Sequence, residues 1–146
     1  TNGFTLARKV LLNTTTVKDR LEGLEGTIGE ELLRVHRSYF NQVYPLLERK
    51  SIHGLAHITG GGIVDNVSRI IPAGLTFNIN WDAWERPVLF RTIQEMGPVP
   101  EEDMRHTFNL GIGFILIVAA DDAADIRKAL EASGETTHVV GRVVAP

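Results

Sequence analysis

Four consecutive residues, Thr59-Gly60-Gly61-Gly62, separate an apolar stretch of strand character from a run of helical periodicity that begins at Ile63. Glycines at such a junction allow unusual dihedrals and let a ligand approach the backbone closely. The amide groups of a helix's first turn, together with its dipole, favour a phosphate or carboxylate at that point. On this reading a side chain at Gly61 is expected to obstruct the ligand. The element is not a Walker A loop, because Ile63-Val64 stands where Lys-Ser/Thr is required, and it is not the dinucleotide glycine pattern. Residue types alone leave an anion site and a tight structural turn both open.

A second glycine pair lies in Phe108-Asn109-Leu110-Gly111-Ile112-Gly113, ahead of another apolar stretch. Gly111 and Gly113 there make room either for a ligand or for a packed helix. His53 and His57 are four residues apart, a ligand spacing on a helix. On a strand rising about 3.3 Å per residue they share a face but lie about 13 Å apart. No acidic residue completes a metal set, so none is expected. His36, His106 and His138 are isolated, and Asp121, Asp122 and Asp125 lack the glycine and terminal Glu of a calcium loop. Trp81 and Trp84 could stack on a base but read better as packing residues.

The elements that must hold these residues follow from periodicity and breakers. Phe4, Ala7, Val10 and Leu11 predict a helix over 3–12, ended by Asn13-Thr14-Thr15-Thr16. A polar, Gly-bearing connector reaches Gly29, with a short helical turn around Ile28 and Leu32. A helix over 38–50 should be kinked or split by Pro45. A strand is expected over 52–58, then a helix from Ile63 to the residue before Pro72. Leu75, Phe77, Ile79 and Trp81 alternate as a strand with one wet face. Pro87 suits a helix N1 position, with the helix over 88–96 and Gly97 at its end. Glu101-Glu102-Asp103 forms an acidic first turn for a helix to Thr107. The run 112–118 is apolar on both faces and reads as a central strand. A helix capped by Asp121 or Asp122 runs to Ser133 before Gly134, and a last strand covers 137–144. Helices alternating with strands predict an α+β chain, a three-layer α/β/α domain around a mixed sheet, occupying residues 1–146.

Composition excludes several classes. The 146 residues are 43% hydrophobic and 23% charged with a net charge of -3, and the Lys and Arg residues are scattered. Nothing suggests a nucleic-acid-binding face. The absence of cysteine removes disulfides, thiolate metal sites and a Cys nucleophile, and fits the cytoplasm. The longest apolar run, residues 112–120, is too short to cross a bilayer as a helix. The chain opens on Thr1-Asn2-Gly3 rather than Met, with a helix almost at once, so an upstream part of a longer protein is expected.

Three stretches together resemble the C-terminal domain of phosphoribosylformylglycinamidine cyclo-ligase, the aminoimidazole ribonucleotide (AIR) synthetase family. They are 1–8 (TNGFTLAR), 57–63 (HITGGGI) with Asn66, and 104–113 (MRHTFNLGIG). Trp84, the run Pro87-Val88-Leu89-Phe90, Gly134-Glu135 and Gly141-Arg142-Val143 extend the likeness over the whole chain. The glycine turn alone is shared more widely, with selenophosphate synthetase and small-molecule kinases of the same superfamily. His57-Ile58-Thr59 before the glycines, combined with Thr107-Phe108-Asn109 before Gly111, is what points to the cyclo-ligase.

The resemblance implies an α/β/α layer domain, partly ferredoxin-like. It implies half of a purine-biosynthesis ligase that uses ATP to close the imidazole ring of formylglycinamidine ribonucleotide. ATP and Mg would be bound mainly through a preceding N-terminal domain, which also forms the usual homodimer. On this chain the resemblance implies that Thr59, Gly60, Gly61 and Gly62 meet a phosphate-bearing ligand. Asn2, Asn109, Gly111 and Gly113 would line the same groove, and no general base is assigned beyond the candidate His57. Partners are then a small-molecule nucleotide and the N-terminal domain, with no nucleic acid and no membrane. Without its other half the chain is expected to be inactive. Another superfamily activity or a non-catalytic interaction module are the alternatives.

Overall fold

The computed structural model describes residues 2–146, which form an α+β chain with seven α-helices and four strands among them. The described residues divide into two compact units. The first comprises residues 2–36, 58–65 and 86–113, and the second comprises 37–57, 66–85 and 114–146.

In the first unit, α1 (Phe4–Leu11) buries Ala7 and Leu11, one turn apart on one face. α2 (Ile28–Leu32) is short but well started. The Thr27 hydroxyl accepts from the Glu30 amide at 3.2 Å, and the Thr27 amide donates to the Glu30 carboxylate at 2.7 Å, a reciprocal capping box. α5 (Val88–Met96) and α6 (Glu101–Thr107) keep the bounds their sequence predicts, except that Pro87 is the N-cap rather than N1. α1 contacts α5, and a Cβ at Gly97 would overlap Val10, so glycine there permits a close crossing. Ile93, Met104 and Leu110 of this unit are fully buried.

The second unit holds all the strands. α3 (Phe40–Val43) gives way to a 3-10 turn over Tyr44–Leu46, so Pro45 splits the expected 38–50 helix. β1 (Ile52–His57) pairs antiparallel with β3 (Phe114–Val118), with Leu55 opposite Leu116 and an irregularity between Ile52 and Gly54. β2 (Thr76–Ile79) pairs antiparallel with β4 (Gly141–Val144). α7 (Ala123–Ala132), entered through a 3-10 turn over Ala120–Asp122, buries Ile126 and Leu130 against Leu46, with Ile52, Leu116 and Val118 packed on that cluster.

Four expectations are corrected. The strands form two antiparallel ribbons, not one mixed sheet. Alternating strands and helices imply parallel pairing only where a helix crosses directly back. Between β1 and β3 the chain instead supplies two segments of the other unit, so their pairing carries no crossover constraint. β3 is not central: among the described residues it pairs with β1 alone, and its five residues are half-buried. Two apolar faces require cover on each face, which says nothing about how many edges are paired. The helix after the glycine turn, α4 (Gly62–Ser68), stops short of Pro72, and the last strand starts at Gly141 rather than at 137.

Candidate functional site

The glycine turn is built within the first unit, from residues 58–62. Ile58 is buried, and its amide donates to the Gly113 carbonyl at 2.9 Å, tying the approach to the turn to the loop that follows α6. The Gly62 amide donates to the Thr59 carbonyl at 3.1 Å and closes a β-turn whose third residue, Gly61, has φ +91°. That backbone geometry calls for glycine. Gly62 follows at φ +63°.

What a Cβ would meet at each glycine is protein. At Gly60 it would lie 2.7 Å from the Asn2 side-chain nitrogen, and at Gly61 2.6 Å from the Asp65 carboxylate. At Gly62 it would overlap the Arg105 carbonyl. The obstruction expected at Gly61 therefore falls on Asp65, and positive φ together with close packing accounts for Gly61 and Gly62.

The loop after α6 is equally constrained. Ile112 donates to the Asn109 carbonyl at 3.0 Å, closing a turn whose central residues, Leu110 (φ 54°) and Gly111 (φ 105°), are both left-handed. Leucine rarely adopts that conformation, and here it is held by burial of its side chain to 1% exposure. The Gly111 amide donates to Asn109 Oδ1 at 3.0 Å, which fixes the Asn109 side chain and leaves its NH2 group without a protein acceptor among the described residues.

These two loops frame a small cleft of about 60 Å³, lined by Asn2, Ile58, Thr59, Phe90, Thr107, Phe108 and Asn109. Three of the sequence candidates, Asn2, Thr59 and Asn109, thus meet in one place. Gly60 reaches the cleft only as the surface on which Asn2 packs, and Gly61, Gly62, Gly111 and Gly113 shape the loops without lining it. His57 lies in the second unit, exposed on β1 with its ring 6.3 Å from that of Phe114, and does not line the cleft. Asn66 is also in the second unit, buried and accepting from Arg69 at 3.2 Å. Among the described residues no group of His, Asp or Glu side chains is arranged to hold a metal ion.

Phe90 and Thr107 were not singled out as site residues from sequence. Phe90 comes from α5 and its ring lies tilted against that of Phe108 with centroids 5.3 Å apart, a contact that periodicity assigns only to a buried stripe. Thr107 had a signal, since it directly precedes Phe108-Asn109. The lining is chemically simple: amide and hydroxyl groups beside two aromatic rings, with no ionised side chain. Side-chain amides and hydroxyls donate to anionic oxygens, and no carboxylate is present to repel them. The volume is well below the few hundred Å³ of a complete small-molecule pocket.

A charged hub links the start of α6 to α5 and to the residue just ahead of it. Arg86 grips Glu101 with both ends of its guanidinium, at 2.6 and 3.0 Å. Gln94 donates to the same carboxylate at 2.9 Å and Arg105 at 2.7 Å. Glu101 is pulled from its ordinary 4.5 to about 2, mainly by the Arg86 hydrogen bonds and further by Gln94 and Arg105, against partial burial that raises it. A lowered folded-state pKa stabilises the fold above the ordinary glutamate range, and that stability is lost as pH falls from there towards 2. The Glu101 side chain is 39% exposed, so solvent screening reduces the effect to about 1 kcal/mol. Denaturant unfolding should show Glu101→Gln less stable than wild type by that amount at neutral pH. The gap should close by about pH 2, and a gap independent of pH would contradict the assignment.

The α+β chain thus presents, between two constrained loops, a cleft lined by neutral hydrogen-bonding side chains. The chain belongs to the family described as AIR synthase related protein, C-terminal domain, which its residues 1–146 match. It is 43% identical over 143 residues to the phosphoribosylformylglycinamidine cyclo-ligase of Pseudothermotoga lettingae, covering 98% of this chain and 42% of that protein. It is 42% identical over 144 residues to the enzyme of that name from Desulfotalea psychrophila (97% and 40%), and 41% identical over 145 residues to that of Bacillus thuringiensis (98% and 42%). The chain spans about two-fifths of the length of these curated relatives.

Proposed function

We propose that this chain is the C-terminal part of an ATP-dependent phosphoribosylformylglycinamidine cyclo-ligase, and that its cleft binds a phosphate-bearing portion of the substrate. The observation that carries the reading is the convergence of Asn2, Thr59, Thr107 and Asn109 on one uncharged cleft, in a chain alike over nearly its whole length to named cyclo-ligases. The reaction is ring closure of formylglycinamidine ribonucleotide to aminoimidazole ribonucleotide. ATP activates the formyl oxygen as a phosphoryl ester, the amidine-side nitrogen attacks that carbon, and phosphate leaves. Such chemistry depends on positioning and charge neutralisation more than on a strong side-chain nucleophile.

The part played by this chain is to bind and orient. Asn109, pinned by the Gly111 amide, offers its NH2 group, Thr59 and Thr107 offer hydroxyls, and Phe90 with Phe108 closes the apolar side against water. Fixed donors cost no reorganisation as charge moves during the reaction. Among the described residues no group of His, Asp or Glu side chains is arranged to hold a metal ion. ATP and Mg are taken mainly by the N-terminal part of the enzyme, which also forms the homodimer. The same reading gives the domain its three-layer, partly ferredoxin-like arrangement in the full enzyme, and a place in the cytoplasm. Among the described residues no helix is long and apolar enough to cross a membrane.

The purified 146-residue chain should show no turnover of formylglycinamidine ribonucleotide with ATP, while the full-length enzyme does. Turnover by the chain alone, at a rate comparable to the full enzyme, would show that this division of labour is wrong.

A further inference from the structure

We infer that Glu101 is a positioning residue for the cleft: by holding Arg86, Gln94 and Arg105 at once, it sets the distance between the two helices that carry the cleft's walls. The inference rests on the reading of the cleft as a substrate site. Phe90 lies on α5, and Thr107, Phe108 and Asn109 form the end of α6 and the residues after it. Glu101 opens α6 and is the common acceptor for four hydrogen bonds. Two come from Arg86, just ahead of α5, one from Gln94 within α5, and one from Arg105 a turn along α6. Arg86 also donates to Gln94 at 2.7 Å, so the three side chains around the carboxylate brace one another.

The bidentate Arg86 pair is directional as well as attractive, which suits it to fixing a spacing. Arg105 extends the constraint to the other loop. Its carbonyl sits against the Cα of Gly62, so the rotation of α6 that the hub sets is felt at the glycine turn beside Thr59. Arg86, Gln94, Glu101 and Arg105 do not line the cleft. The hub's effect on substrate passes through the spacing of Phe90 from Thr107, Phe108 and Asn109.

The test is the steady-state kinetics of Glu101→Gln in the full-length enzyme, with formylglycinamidine ribonucleotide varied at saturating ATP. Glutamine keeps the size but loses the charge and the paired acceptor. The expected result is a KM for the ribonucleotide raised about tenfold with kcat within a factor of about three, because the walls move while the rest of the machinery is intact. A purely structural role gives a different pattern: the folded fraction falls, so kcat drops with KM unchanged. That pattern, or no change in either constant, overturns the inference. If Glu101→Gln does not fold, Arg86→Lys keeps the charge, gives up the bidentate grip and should show the same split more mildly, with KM up about threefold. Asn109→Asp, assayed alongside, separates the two levels. Loss of activity there with normal kinetics in both hub variants refutes only the positioning role. No effect in Asn109→Asp refutes the cleft reading itself.

Discussion

Alanine at Gly62 is expected to destabilise the chain by about 3 kcal/mol or more, a large part of the roughly 5–15 kcal/mol that holds a domain of ordinary stability together. Two costs combine. The backbone at Gly62 has φ +63°, where an L side chain costs about 1–2 kcal/mol. The added Cβ would also overlap the Arg105 carbonyl, a backbone atom that cannot swing aside, and relieving such crowding costs about 1–3 kcal/mol. Gly74 supplies the internal control. Its φ is +83° but nothing lies within 4 Å of its Cβ position, so Gly74→Ala carries the conformational cost alone. Thermal unfolding should place Gly62→Ala well below Gly74→Ala, by roughly 5 °C or more. Equal melting temperatures would mean that the close contact between α4 and α6 is absent.

The second large effect concerns chemistry, and it needs a substitution that leaves the turn intact. Asn109→Asp meets that condition: an aspartate oxygen still accepts from the Gly111 amide, so the left-handed Leu110-Gly111 turn keeps its anchor. What changes is the other half of the side chain, where a donor becomes a negatively charged acceptor in a cleft with no other ionised residue. A phosphate-bearing ligand then loses one hydrogen bond and meets a like charge. Removing a single well-placed donor to a developing or fixed anion costs about 10²–10³-fold, so kcat/KM of the full-length enzyme should fall at least roughly a hundredfold. The melting temperature should change by no more than about 2 °C. A folded Asn109→Asp enzyme with undiminished kcat/KM would contradict the assignment.

These two substitutions also show what the sequence could and could not convey. α5 is legible because Pro87, an apolar stripe and Gly97 all act locally, and α6 because three acidic residues mark its first turn. The glycine turn is legible as a turn, but its purpose is not. That three Cβ positions are filled by Asn2, Asp65 and the Arg105 carbonyl depends on segments more than forty residues away or on a side chain curling back. Pairing of β1 with β3 joins stretches about sixty residues apart, and no periodicity encodes which edges meet. Asn2, Thr59 and Asn109 were recognisable through motif resemblance, whereas Phe90 enters the cleft only because α5 packs beside the loop after α6. The Arg86–Glu101 hub was invisible for the same reason: a charged residue at each end of a fifteen-residue interval reads as two solvated side chains.

A crystal structure of the full-length enzyme with formylglycinamidine ribonucleotide bound would bear most directly on the cleft. The expected density places an anionic oxygen of the ribonucleotide within hydrogen-bond reach of the Asn109 NH2 group and the Thr59 hydroxyl, between Phe90 and Asn2. Density for the ribonucleotide elsewhere, with the cleft holding only solvent, would contradict the proposed role of this chain.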